Sequence, residues 1–152
     1  MNDWDFNNQC IEGFKIKSQK IITKNDIINI CELLNQEEFY KNICTFEPEP
    51  ISEGGIIFKF INSPIEWYKS MRIYFAKEYS GGDLGIVKKD VMNEWKNNND
   101  IIMNEKNIIK TYLKSFRNAP RFTQDELKIW ESCFNKVGFI RVGKYPSKKN
   151  LK

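Results

Sequence analysis

The chain has 152 residues, of which 41% are hydrophobic and 14% aromatic, so it can bury a substantial core and is not of the disordered class. It contains no histidine, which excludes a Ser-His-Asp triad, a Cys-His pair and any histidine metal ligand. The net charge is −4 over residues 1–60 and +8 over residues 61–152, which predicts a basic C-terminal half facing an acidic partner such as nucleic acid.

Helical periodicity and capping signals predict about five helices. In chain order they cover residues 24–35, 64–78, 87–96, 104–117 and 124–137. Four of them begin at a capping residue, namely Thr23, Ser63, Asn104 and Thr123. An acid follows three residues after Thr23 and after Thr123, as in a capping box, and Gly138 ends the last helix.

Strand signals are fewer. Residues 13–22, 56–61 and 139–142 show short apolar or alternating runs, which predict a sheet of two or three strands. The fold class predicted from these elements is α+β and mainly helical, with a helix-turn-helix-like C-terminal half.

The predicted domain organisation is one globular domain over residues 13–145, between an N-terminal tail, 1–12, and a basic C-terminal tail, 146–152. Two prolines and two acids at residues 47–50 discourage regular structure. They therefore mark a possible division into sub-lobes 13–50 and 51–145.

The cysteines and the N-terminus indicate an intracellular protein. Cys10, Cys31, Cys44 and Cys133 lack the paired short spacing of a zinc site, so we expect free thiols, with Cys31 and Cys133 in the core. The first residues lack the basic and apolar regions of a signal peptide, and lysines interrupt every long apolar stretch. We therefore predict a soluble protein of the cytoplasm or nucleus, with no membrane span, metal or cofactor.

The composition also points to a source. Isoleucine, lysine and asparagine, which have AT-rich codons, are used heavily, and only two alanines occur. This bias is typical of an AT-rich genome, such as that of a virus, a parasite or a low-GC bacterium.

A cationic stripe on the fourth predicted helix is the main functional signal. Lys106, Lys110, Lys114 and Arg117 are spaced by four, four and three residues, which places them within about 80° of one helical face. With residues 87–96 as the supporting helix, this pair has the outline of a helix-turn-helix, whose second helix enters the major groove. The predicted contacts with nucleic acid are Lys106, Asn107, Lys110, Lys114, Arg117 and Arg121, together with Arg141 and Lys144 as a possible wing.

A second signal lies in the last predicted helix. The segment from Arg121 to Trp130, followed by Phe134 and Gly138, resembles the first helix of Myb/SANT domains. The resemblance covers one helix of the three that this family needs, and we predict that Trp130 is a core residue.

No catalytic constellation accompanies these signals. Gly81 and Gly82 lack a following Gly-Lys-Ser pattern, and the carboxylate pairs lie at a helix end or beside prolines. We therefore predict a non-enzymatic protein that binds DNA or RNA. The alternative is a non-catalytic protein-interaction or accessory subunit of a larger complex, such as a viral one, whose acidic N-terminal half and exposed apolar edges dock a protein partner. The oligomeric state stays open.

Overall fold

The computed structural model describes residues 11–51, 55–64, 69–78, 84–86, 95–97, 101–103, 108–115 and 122–143. The helices of the described residues are α1 (Lys24–Gln36), α2 (Glu38–Lys41) and α3 (Gln124–Lys136). The strands are β1 (Ile11–Glu12), β2 (Lys15–Ser18), β3 (Ile22–Thr23), β4 (Thr45–Ile51), β5 (Gly55–Ile61), β6 (Lys69–Glu78), β7 (Leu84–Ile86), β8 (Ile101–Met103), β9 (Ile108–Ser115) and β10 (Phe139–Val142).

Most of the described strands belong to one antiparallel sheet. Its spatial order is β10, β2, β9, β6, β5 and β4, with β1 beside β9 and β7 beside β6. The strands β3 and β8 pair separately. β1 and β2 pair with β9 in the same register, Ile11 opposite Lys114 and Lys15 opposite Lys110, so they act as one interrupted strand.

The helices α1 and α3 cover one face of this sheet, which gives a two-layer architecture. The strands contribute alternate residues to the core, including Ile16, Phe58, Met71, Ile73, Phe75 and Phe139. The helices contribute residues at helical spacing: Ile27, Ile30, Cys31 and Leu34 from α1, and Leu127, Trp130, Cys133 and Phe134 from α3. The indole of Trp130 lies at the centre, in edge-on contact with Phe46 and Phe58 at centroid distances of 5.4 and 5.5 Å.

The predictions for α1 and α3 are confirmed. Thr23 accepts a hydrogen bond from the backbone N–H of Asp26, and the Asp26 side chain accepts one from the backbone N–H of Thr23. Thr123 caps α3 by accepting from the backbone N–H of Glu126. Gly138, with φ of 106°, follows the end of α3 in a conformation that glycine adopts easily.

The predicted fold class, mainly helical with about five helices, is wrong. Residues 69–78 and 108–115, predicted as parts of two helices, are the strands β6 and β9, and they pair with each other at the centre of the sheet. The helix-turn-helix therefore does not form, because its recognition helix is a strand. Residues 108–115 are rich in β-branched and aromatic side chains, and residues 69–78 contain the run Ile73-Tyr74-Phe75; such side chains favour an extended backbone once neighbouring strands are available.

Two further predictions are wrong. The sheet was expected to be small, with two or three strands, but it forms the main framework of the described residues. Residues 47–50, expected to resist regular structure, lie within β4, the last strand of the sheet order. Pro48 and Pro50 are tolerated because alternate positions of an edge strand direct their backbone nitrogens away from the partner strand. Three predictions lie outside the described residues. The caps at Ser63 and Asn104 involve residues 65–68 and 104–107, and most of the third predicted helix falls on residues 87–94.

Candidate nucleic-acid interface

The sheet face opposite the helices carries the exposed lysines of β2. In β2 the residues alternate, with Lys15 and Lys17 exposed and Ile16 and Ser18 buried. Neither lysine forms an ion pair with the described residues. The two ammonium groups are therefore exposed cations on a regular backbone.

β9 adds two cations to this face by its register. Lys110 lies directly opposite Lys15 on one side and opposite Tyr74 on the other, and Lys114 lies opposite Ser70. Directly opposed residues in an antiparallel pair share a face of the sheet. Lys110 and Lys114 therefore belong to the same face as Lys15 and Lys17.

Arg72 of β6 completes the group. It lies opposite Tyr112 of β9 and Ile57 of β5, and its Nη1 donates to the hydroxyl of Tyr74 at 3.3 Å. Its Nε is buried, and Tyr74 beside it is only 2% exposed, so the open part of this face that the structure describes lies on β2 and β10. We call Lys15, Lys17, Arg72, Lys110 and Lys114 the cationic sheet face.

Acidic residues are found only farther along the sheet. The positions of this face at which β2, β9 and β6 pair with one another are Lys15, Lys17, Ile108, Lys110, Tyr112, Lys114, Ser70, Arg72 and Tyr74, and none is acidic. The alternation of β6 reaches an acid at Glu78, beyond its pairing with β9. On β5, by contrast, Lys59 lies opposite Glu47 and forms an ion pair with Glu49 at 3.3 Å. Its charge is compensated by Glu49, whereas no described residue forms an ion pair with Lys15 or Lys17.

The residues predicted to bind nucleic acid separate into three groups. Lys110 and Lys114 lie on the cationic sheet face, although on a strand instead of a helix. Arg141 shares the helix-covered face with Ile16, where its Nε lies 3.2 Å from an Oε2 of Glu131 on α3. Lys106, Asn107, Arg117, Arg121 and Lys144 lie outside the described residues.

Three cations of this face were missed from the sequence. Lys15, Lys17 and Arg72 are far from the predicted stripe, and only strand pairing brings them to it. The alternation of Lys15-Ile16-Lys17 is a period-two signal that could have identified the first two as one face of a strand.

A second polar cluster lies on the other side of the sheet, in the core. Lys69 Nζ donates to Glu126 Oε1 at 2.9 Å, and the two side chains are only 2% and 1% exposed. The Tyr40 hydroxyl donates to Glu126 Oε2 and accepts from Trp130 Nε1 at 2.7 Å. The Lys69 ammonium also lies 4.5 Å from the ring centroid of Phe122.

This cluster is structural because no member is open to a ligand. Tyr40, Lys69, Glu126 and Trp130 are each at most 6% exposed. Burial, followed by the charge of Glu126, raises the pKa of Tyr40 far above its ordinary value, so the hydroxyl stays protonated and donates. The cluster links α2, β6 and α3, and it fixes how the helices lie on the sheet.

The buried thiols are also unreactive. Cys31, Cys44 and Cys133 are free and buried, which confirms the core positions predicted for Cys31 and Cys133. Burial raises the pKa of Cys31 and of Cys133 from 9.0 to about 12. Such thiols supply neither a nucleophile nor a metal ligand at neutral pH.

Among the described residues, no group of three or more cysteine or carboxylate side chains is arranged to hold a metal ion. The helices described for this chain are each too short or too polar to cross a bilayer. Comparison with protein-family models, with curated proteins and with solved structures gives no match for the chain.

Proposed function

We propose that this protein binds nucleic acid through its cationic sheet face. The observation that carries the proposal is the register of β2, β9 and β6, which places Lys15 directly opposite Lys110 with Arg72 nearby and no acid among them. Like charges directly opposed across two strands lower the stability of a sheet. A polyphosphate partner removes this cost, because each phosphate neutralises a lysine or arginine and releases a counterion.

Two further features support the proposal. The cations are carried on the regular backbone of adjacent strands, so their spacing is fixed before binding. The opposite face is filled by α1 and α3, so a ligand approaches from one side only. The binding element in this proposal is the sheet, and no helix enters a groove.

The test is a titration of labelled nucleic acid with the Lys15→Glu/Lys17→Glu variant. We expect its affinity to fall strongly, and the slope of log affinity against log salt to decrease by roughly 0.7–0.9 for each phosphate that the variant no longer neutralises. The matched control is Lys41→Glu/Lys128→Glu, which makes the same change of charge at exposed helix positions. If both variants weaken binding equally, the affinity depends on net charge alone, which would contradict the proposal. Binding of the parent protein that does not change with salt would contradict it as well.

A protein-docking role is the second candidate, and the exposed aromatic of α2 favours it. Phe39 is 41% exposed and is adjacent to Glu38, whose side chain is 90% exposed and lies 3.8 Å from the Nζ of Lys41. An exposed ring with charged side chains at its rim suits a protein partner that offers an apolar pocket with a polar rim. Under this proposal Phe39→Ala abolishes partner binding and leaves any nucleic-acid affinity unchanged, whereas the nucleic-acid proposal requires that only variants of the cationic sheet face weaken binding.

A further inference from the structure

We infer that the occupant of the cationic sheet face is a single-stranded polynucleotide, held through its phosphates and the faces of its bases. This inference rests on the proposed function and specifies its substrate class. Its support comes from the apolar residues that lie beside the exposed cations and from the chemistry that the face lacks.

Apolar residues alternate with the cations on the exposed part of the face. Ile140 of β10 lies directly opposite Lys17, and Val142 lies opposite Lys15. Ile140 is 38% exposed and Val142 is half-buried. A single strand offers apolar base faces to such positions while its phosphates meet the lysines, but a duplex keeps its base faces stacked inside.

The face offers little to distinguish RNA from DNA. Discrimination requires hydrogen bonding to the 2′-hydroxyl group. The paired positions of this face on β2, β6 and β9 carry no acidic acceptor, and their hydroxyl groups are those of Ser70, Tyr74 and Tyr112, of which that of Tyr74 already accepts from Arg72. RNA and DNA strands of one sequence should therefore bind with similar affinity.

The test compares a labelled DNA oligonucleotide, the RNA oligonucleotide of the same sequence and the matching DNA duplex, by fluorescence anisotropy at several salt concentrations. We expect both single strands to bind at least about tenfold more tightly than the duplex. Equal affinity for the duplex would overturn this inference and leave the proposed function standing. Salt-insensitive binding, or none, to all three probes would overturn both.

The apolar contact is tested separately with Ile140→Thr, which keeps a β-branched side chain on an edge strand. We expect it to weaken single-strand binding several-fold, without changing the salt slope or the affinity for duplex. The control is Ile21→Thr, at a residue that is 47% exposed and lies outside the sheet. The inference fails if Ile140→Thr binds single strands like the parent protein while urea denaturation shows that it is folded.

Discussion

Lys69 and Glu126 form an ion pair inside the protein, with Nζ and Oε1 2.9 Å apart although 57 residues separate them in the sequence. Both oxygens of the carboxylate are engaged, one by Lys69 and the other by the Tyr40 hydroxyl. The pair joins β6 to α3 and fixes the position of the helical layer on the sheet. Its geometry also explains why the Glu126 side chain does not complete a capping box with Thr123.

Replacement of one residue of this pair should lower the free energy of unfolding much more than replacement of both. Lys69→Met leaves the Glu126 carboxylate buried without its counter-ion, so we expect a decrease of about 3–5 kcal/mol in the free energy of unfolding. The double variant Lys69→Met/Glu126→Leu should recover much of this stability. Urea denaturation measures both. As a control, Lys59→Met breaks the exposed pair with Glu49 and should cost less than about 1 kcal/mol; a similar cost for Lys69→Met would contradict the assigned role.

The cap of α3 gives a second prediction. Thr123→Ala removes the acceptor for the backbone N–H of Glu126, so we expect a decrease of about 1 kcal/mol in the free energy of unfolding. Thr123→Ser keeps the hydroxyl and should restore most of it. If alanine and serine at this position are equally stable, the hydroxyl contributes nothing as a cap.

The buried thiols predict a dependence on alkaline pH. In the folded protein, burial raises the pKa of the Cys31 and Cys133 thiols from the ordinary 9.0 to about 12. Since the folded state retains the protons longer, this contribution is complete below pH 9 and is lost as the pH rises toward 12.

Urea denaturation at several pH values between about 8 and 11 measures this loss of stability, and labelling of the thiols tests the burial that causes it. A thiol reagent at mildly alkaline pH should modify Cys31 and Cys133 slowly in the folded protein and rapidly in denaturant. Rapid labelling of the native protein at either residue would contradict the assigned burial.

The sequence predicted the helices that carry local end signals. α1 and α3 begin at Thr23 and Thr123 and bury residues at helical spacing, and both facts are visible in a short window. β5 and β10 were also predicted, because their apolar runs are short and follow glycine. Each of these elements is specified by residues close together in the chain.

β9 was mistaken for a helix because its spacing fits both structures. Lys110 and Lys114 are four residues apart, which places them on one face of a helix and also on one face of a strand. In β6, Ile73, Tyr74 and Phe75 are consecutive and all buried, so the strand shows no clear alternation. Such segments are decided by pairing with distant strands, which a single sequence does not reveal.

The candidate interface was predictable only in part. Lys110 and Lys114 were identified, but as members of a helix that does not form. Lys15 and Arg72 join them through pairings between segments far apart in the chain.

The most direct test of the central claim is the Lys110→Glu variant, measured for both stability and nucleic-acid affinity. The new carboxylate would lie opposite Lys15, so the like-charge pair becomes an attractive one and the free energy of unfolding should rise by about 0.2–1 kcal/mol. Affinity should fall, because a cation at the centre of the cationic sheet face is replaced by an anion. Lys128→Glu on α3 is the control and should leave affinity nearly unchanged. A more stable variant that binds less nucleic acid is the predicted result, and a variant with unchanged affinity would contradict the account.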